Sequence, residues 1–335
     1  MRLATPRGWY RKAHPSLAAR LLLGPLAAIW AGETRRRIAG TTPVAPPIPV
    51  ICVGNLTLGG TGKTPVVREI VQRLRAAGVE AHALSRGYGG RLSGPVRVDP
   101  TIHGGAEVGD EPLMIAASLP MWIARDRPAG VVAAAQSGAA VVVMDDGHQN
   151  PSLTKALSIV VVDAETRSGE WPFGSGAVFP LGPMREPLAQ GLARADAVVL
   201  LAPADLDALD PELVAALRGP VLLTARLIAD APPPAGPQIG FAGVGKPWKV
   251  ERALLAAGCD LVGFEAFPDH HPYAEADLQR LAAQASAAAA GLVTTEKDWV
   301  RLPPQWRTRI VAWTVRAAFD DPAALDALLA NALKT

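Results

Sequence analysis

Only two cysteines occur in 335 residues. Cys52 sits inside an apolar run and Cys259 follows an alanine-rich one, so neither a disulfide framework nor a metal-ligand spacing is available. A reducing compartment is expected. The chain also lacks a membrane span near its start. The unbroken apolar stretch from Leu21 to Ala31 is 11 residues long and contains Pro25, against the roughly 20 that cross a bilayer. No internal repeat is visible, which excludes solenoid and propeller architectures. A large excess of one charge is missing too: the formal net charge is +2, and no nucleic-acid partner is expected. What remains, 49% hydrophobic and 19% charged residues, is the composition of a globular chain able to bury a core in one large or two modest domains.

That small net charge hides an uneven distribution. Residues 1–37 hold eight basic side chains (Arg2, Arg7, Arg11, Lys12, Arg20, Arg35, Arg36 and Arg37) against one acid, Glu33, while the remainder is net negative by five. The same end carries Trp9, Leu21, Leu22, Leu23, Leu26, Ile29 and Trp30. Cations for anionic headgroups beside apolar side chains for the acyl boundary describe an interfacial amphipathic helix, and residues 1–40 are expected to lie on a membrane without crossing it. A helix packed on its own core is the competing reading. A signal peptide is rejected, because Ile29, Trp30 and Ala31 make a poor cleavage site.

Short β-branched runs alternate with alanine- and leucine-rich stretches, the pattern of βαβ units and a mainly parallel sheet flanked by helices, an α/β fold. Strands are expected at 48–53, 81–85, 139–144, 158–162, 197–201 and 221–225, with helices clearest at 64–77 and 128–137. The run Ala231-Pro232-Pro233-Pro234-Ala235-Gly236-Pro237 sustains neither helix nor ladder. A large domain over 41–231 and a smaller α/β domain over 238–335 follow, the latter with strands at 239–242, 261–267, 292–295 and 310–315 and helices at 246–257, 274–290 and 322–333.

Chemistry enters at Thr57-Leu58-Gly59-Gly60-Thr61-Gly62-Lys63-Thr64, between the strand ending at Gly54 and a helix opening at Pro65. Strand, glycine-rich turn and helix are the context a phosphate loop requires. Backbone N–H groups converge on phosphates, the helix N-terminus adds partial positive charge, Lys63 pairs with the outer phosphates and the Thr64 hydroxyl reaches the metal. Thr57 departs from the usual pattern, which places glycine there. An acid at a neighbouring strand end should hold magnesium, and Val141-Val142-Val143-Met144 ends in Asp145-Asp146. ATP and Mg2+ are the expected cofactors.

These residues resemble the tetraacyldisaccharide 4'-kinases. The resemblance rests on Val53-Gly54-Asn55-Leu56-Thr57 before the loop, Ser85-Arg86-Gly87-Tyr88-Gly89-Gly90, Gly109-Asp110-Glu111-Pro112, Asp145-Asp146-Gly147, Gly182-Pro183-Met184-Arg185-Glu186, Phe267-Pro268-Asp269-His270-His271 and Thr295-Glu296-Lys297-Asp298. With it, threonine at position 57 becomes a family trait. His148, where the family carries a bulky apolar residue, is read as a substitution at a packing site. The resemblance implies phosphorylation of an acylated glucosamine disaccharide at its 4' hydroxyl, on the cytoplasmic face of the bacterial inner membrane, with no protein partner. It implies that Asp110 and His270 act together on the acceptor. His271 competes with His270, which is preferred because it directly follows Asp269. Arg185 is expected on the transferred phosphate, Glu186 on the metal, Tyr88 against the nucleotide, and Lys297 and Asp298 in the inter-domain cleft. Two other readings share the loop. A GTPase would want an N-K-x-D string, which Thr295-Glu296-Lys297-Asp298 does not supply; a soluble small-molecule kinase would leave the basic N-terminus without a role.

Overall fold

The structure, a computed structural model, describes residues 6–334 apart from the side chain of Arg7; Arg2 lies outside the described residues. Helix α1 (Leu17–Gly40) opens on Ser16, whose hydroxyl accepts from the Ala19 N–H. Strand β1 (Val50–Gly54) is buried throughout, and its side chains alternate between two cores. Ile51 and Val53 join the core that contains α2 (Lys63–Ala76), whose stripe Val66, Val67, Ile70, Val71 and Leu74 recurs at helical spacing. Val50 and Cys52 face the other side, where Val131 and Ala134 of a later helix pack. A strand covered on both faces must be apolar at every position, which is why β1 reads as a continuous run.

Downstream of α2 come β2 (Ala81–Ser85), β3 (Val96–Arg97), α3 (Gly105–Val108), α4 (Asp110–Ala116), β4 (Met121–Ile123) and α5 (Arg127–Gln136). They are followed by β5 (Val141–Asp145), β6 (Leu157–Asp163), α6 (Leu188–Leu192), β7 (Ala197–Pro203), α7 (Pro211–Ala216) and β8 (Val221–Ala229). The second unit holds β9 (Gln238–Ala242), α8 (Pro247–Ala256), β10 (Leu261–Ala266), α9 (Glu275–Ala287), β11 (Gly291–Thr295), α10 (Glu296–Trp299), α11 (Pro304–Arg307) and β12 (Val311–Trp313). The chain closes with β13 (Val315–Phe319) and α12 (Pro322–Ala332).

Among the described residues the strands form two sheets, a nine-stranded one in the order β13-β8-β7-β6-β1-β5-β2-β4-β3 and a four-stranded one in the order β10-β9-β11-β12. The large sheet is parallel except for its two edges, where β3 and β13 run antiparallel to β4 and β8. The chain leaves β1 toward β2 on one side, while β6 flanks β1 on the other. This topological switch point opens a crevice at the carboxyl ends of the strands, where open α/β sheets bind ligands.

Two expectations need correction. The apolar run 310–315 is two strands, split at Thr314: β12 completes the small sheet, whereas β13 pairs with β8. From Val315 onward the chain therefore belongs to the large sheet, and the second unit is shorter than 238–335. Ala317 and Phe319 point into the α2 core, and α12 adds Leu325, Leu329 and Ala332 to it. The second correction concerns α1. Apart from Ile38 its large apolar residues end at Trp30, and Arg35, Arg36 and Arg37 follow them, so apolar and charged groups separate along the axis more than between faces. Only Ala27 and Thr34 are buried, while Leu21 and Leu22 are 71% and 75% exposed. Among the described residues no helix is long and apolar enough to cross a membrane.

Candidate active site

The phosphate loop explains its own departure from pattern. Positive φ falls at Gly59 (+88°) and Gly62 (+76°), and Thr57 is not among the positive-φ residues, so its position needs no glycine. Thr57 instead pairs antiparallel with Met184, and its carbonyl accepts from Asn55 Nδ2 at 2.8 Å and Arg185 Nε at 3.1 Å. At Gly62 a Cβ would stand 2.3 Å from Leu201 Cδ2, so close packing against β7 reinforces the backbone demand. Lys63 follows as the first residue of α2.

Across the loop, β5 delivers the paired aspartates beside β1. Asp146 takes a left-handed backbone (φ 54°), which aspartate tolerates. Its carboxylate meets Lys63 Nζ at 3.5 Å and Arg185 Nη1 at 3.0 and 3.1 Å. Burial alone would raise that carboxyl; Lys63 and Arg185 outweigh it and hold it well below the ordinary range. Asp145 differs: burial, with Asp146 adding to it, pushes its carboxyl up to about 6 against the pull of Lys63, and its buried Oδ1 has no hydrogen-bond partner. An orphaned buried carboxylate oxygen on a residue that lines the same cleft as Thr64 suits a hard divalent cation. Among the described residues no cluster of three or more His, Cys, Asp or Glu could form an all-protein cage, and magnesium does not ask for one, since it keeps waters and phosphate oxygens as ligands.

Glu186, expected on the metal, is not there. It is 1% exposed, and its carboxylate accepts two 2.7 Å bonds from Arg194 Nη2 and one from Gln149 Nε2. Arg185 turns to the loop while its neighbour turns inward to a cation eight residues on. His148 is the packing residue expected: buried, its ring bridges Ser158 Oγ and the Gly191 carbonyl, and burial lowers its pKa to about 4.

A stability prediction follows from Asp145. Because its folded pKa lies above the ordinary 3.8, ionising the group costs stability, a cost that builds as the pH rises from about 4 to about 6 and is nearly complete above it. Asp145→Asn should therefore stabilise the metal-free protein at pH 7.5 by about 3 kcal/mol, with little gain at pH 4. Calorimetry with a chelator present checks this, and an unchanged midpoint at pH 7.5 would refute it.

The second cluster forms where α4 meets the small unit. Asp110 begins α4, and its Oδ2 accepts from His270 Nδ1 at 2.9 Å and from Arg301 Nε at 2.7 Å. Burial would raise the Asp110 carboxyl, but His270 and Arg301 reverse this and hold it at about 2. His270 sits at φ 59°, its N–H bonded to the Gly243 carbonyl. Lys297 reaches Glu111 Oε1 at 2.6 Å and lies 3.4 Å from His270 Nε2. His271 faces away, bonding Asp277 Oδ2 at 3.0 Å and packing on Phe267. Tyr88, 69% exposed, has its ring 6.3 Å from that of His270. Asp298 is fully buried and holds Tyr273, Gly243 N–H and Arg301 together, so it frames the site without lining it.

Both clusters open into one cleft of about 1600 Å3 that also reaches Trp30, Thr34 and Arg37 of α1. Sequence reasoning missed Arg301 and a charge network across the cleft. Asp163, at the end of β6, is gripped by Lys246 at 2.8 Å and by Lys249 at 2.6 and 2.8 Å. Burial would raise the Asp163 carboxyl, and the two ammonium groups hold it well below its ordinary range. Gly245 brings this edge of the small unit against the phosphate loop; a Cβ there would lie 3.2 Å from Gly60 N. The available signal was Gly243-Val244-Gly245-Lys246-Pro247, a second glycine-lysine turn between a strand and a helix.

A parallel sheet with this loop at its switch point, faced by strand-end aspartates, defines a phosphate-loop nucleotide-binding protein. The chain belongs to the tetraacyldisaccharide-1-P 4'-kinase family, whose model matches residues 19–334. It is 64% identical to a tetraacyldisaccharide 4'-kinase of Phenylobacterium zucineum over 330 residues, 98% of this chain and 99% of that protein. It is 62% identical to one of Caulobacter vibrioides, with 98% of each covered. A crystal structure of LpxK from Aquifex aeolicus in complex with ATP shares the fold at a TM-score of 0.70 and 24% identity, over 94% of this chain and 99% of that one.

Proposed function

We infer that this chain is an ATP-dependent kinase that phosphorylates the 4' hydroxyl of the tetraacylated glucosamine disaccharide 1-phosphate, giving the 1,4'-bisphosphate in lipid A biosynthesis. The observation that carries the reading is the shared cleft, lined by His270, whose Nδ1 Asp110 holds, and by Lys63, Asp146 and Arg185. Lys63 and the loop N–H groups hold the nucleotide phosphates, and Arg185 offsets charge spreading over the transferred group. With its Nδ1–H given to Asp110, His270 presents Nε2 as the atom that takes the acceptor's hydroxyl proton. Arg301 fixes the carboxylate, and Lys297 lies beside His270 Nε2. Thr64, Asp145 and Asp146 would hold magnesium, which would supply positive charge against the nucleotide phosphates. Tyr88, exposed on its glycine-flanked loop at the cleft, would stack near the nucleotide.

The acceptor is a membrane lipid and ATP is cytosolic, so the reaction belongs at the cytoplasmic face of the bacterial inner membrane. Exposed Leu21, Leu22, Leu26 and Ile29, followed by Arg35, Arg36 and Arg37, support peripheral attachment through α1. Replacing Leu21 and Leu22 by aspartate should abolish partition onto anionic vesicles, and undiminished sedimentation with vesicles would refute the attachment. For the reaction itself, purified protein with ATP, magnesium and the tetraacyl disaccharide 1-phosphate should yield a bisphosphorylated product by mass spectrometry. Unchanged acceptor, under conditions where nucleotide demonstrably binds, would sink the kinase assignment.

A further inference from the structure

The N-terminal segment does more than face lipid; it touches the phosphate site at two points. Leu56 to Leu58, the entry to the phosphate loop, forms a short antiparallel ladder with Pro183 to Arg185: Leu58 N–H donates to the Pro183 carbonyl at 2.8 Å, Arg185 N–H to the Leu56 carbonyl at 2.8 Å, and Thr57 bridges Met184. This ladder ties the loop to the arginine that contacts Asp146. Each end of it receives one further hydrogen bond from the N-terminal segment. Tyr10 Oη donates to the Leu58 carbonyl at 2.6 Å, and Trp30 Nε1 donates to the Arg185 carbonyl at 3.1 Å.

The two donors share support. The ring of Phe179 stands edge-on to Trp30 at 5.0 Å and to Trp9 at 6.1 Å, joining the turn before α1 to α1 itself. Tyr10 is 2% exposed, far more buried than an anchor residue needs. Its Oη lies 2.4 Å from where a Cβ on Gly59 would be, so the glycine admits the phenol, and the Lys246 ammonium sits 4.0 Å over its ring. Aromatic donors aimed at main-chain carbonyls fix backbone position, and a phosphate loop works by backbone position.

We propose that Tyr10 and Trp30 are positioning residues for phosphoryl transfer, clamping the phosphate loop and Arg185 from the segment that faces the membrane. The inference rests on the kinase reading above. Loss of one such hydrogen bond should be read as about a tenfold effect, and the two donors should separate by what each holds: Tyr10 the nucleotide loop, Trp30 the arginine that meets the transferred group.

The test uses full-length Tyr10→Phe, which removes only the hydroxyl, and Trp30→Phe, which keeps an aromatic ring but removes the N–H together with the pyrrole half of the indole. Binding of a fluorescent ATP analogue without acceptor or lipid, steady-state kcat and KM, and partition onto phosphatidylethanolamine–phosphatidylglycerol vesicles are measured, with thermal midpoints as the folding control. Tyr10→Phe should weaken the analogue about tenfold and Trp30→Phe should lower kcat about tenfold, with acceptor KM, vesicle partition and midpoints at wild-type values. Wild-type binding and turnover in both variants would overturn the proposal. So would losses that track vesicle partition or thermal midpoint, which would make the segment an anchor or a packing element alone. If the wild-type protein leaves the acceptor unphosphorylated, the kinase reading fails while the analogue-binding arm still decides the clamp.

Discussion

Asp110→Ala should lower kcat by about a thousandfold while leaving the KM for ATP near its wild-type value. On the proposed mechanism the carboxylate holds the His270 ring through a 2.9 Å bond to Nδ1, which leaves Nε2, beside Lys297, as the atom that takes the proton. His270→Ala should lose a comparable factor, and the double variant should be little worse than either, because residues that act as a unit are not additive. His271→Ala should keep most of its rate, since that ring is spent on Asp277 and Phe267. The fold should survive the loss of Asp110: Arg301 keeps Asp298 and the Gly243 carbonyl at 2.9 Å each. The pH dependence has a definite sign. A carboxyl held at about 2 against an ordinary 3.8 contributes stability that is present above about pH 4 and lost as the pH falls toward 2. Asp110 therefore stays ionised throughout the working range, and an acid limb in the rate above pH 5 would have to come from another group. Equal rates for the two histidine variants, measured by product mass spectrometry, would show that the wrong imidazole has been assigned.

How much of this was legible beforehand depends on distance along the chain. The phosphate loop is a local object, a strand, a turn and a helix within 20 or so residues, so its residue types announce it, and even the irregular Thr57 proves harmless once its backbone is seen to be extended in a ladder. The alternation of strands and helices was legible for the same reason, down to the limits of β2, which match. The short β3 and β4 escaped because two or three residues carry no period. The split between β12 and β13 escaped because the two share one apolar run, and only the partner strands separate them. Asp110 and His270 are 160 positions apart, and nothing local couples them; the family resemblance did. Glu186 went wrong through the converse: a carboxylate beside an arginine that reaches the phosphate loop looked available, but Arg194 was already placed to take it. The Asp163 network, with partners 83 and 86 residues away, had no resemblance to point it out.

Lys63→Ala should abolish turnover and also change how stability depends on pH. The ammonium lies 3.5 Å from Asp146 Oδ1 and pulls down the carboxyls of both Asp145 and Asp146, which stand side by side at the end of β5. Without it, two neighbouring carboxylates face a cleft with Arg185 as the nearest cation on one of them. Asp145, already at about 6, must then rise further, so near neutrality the folded variant keeps a proton that the unfolded chain releases. A folded state that binds more protons loses stability as the pH rises, so the variant's thermal midpoint should fall between pH 6 and 8 more steeply than that of the wild type. A divalent cation offers the same aspartates a replacement charge, and excess magnesium should restore the midpoint at pH 8. It should not restore turnover, because the lost charge is needed on the outer phosphates as well as on the carboxylates. Melting curves from pH 6 to 8 with and without magnesium, set beside product formation, separate these effects. Parallel midpoints for variant and wild type would mean that Lys63 does not govern the aspartate pair, and surviving turnover would mean that it does not serve the phosphates.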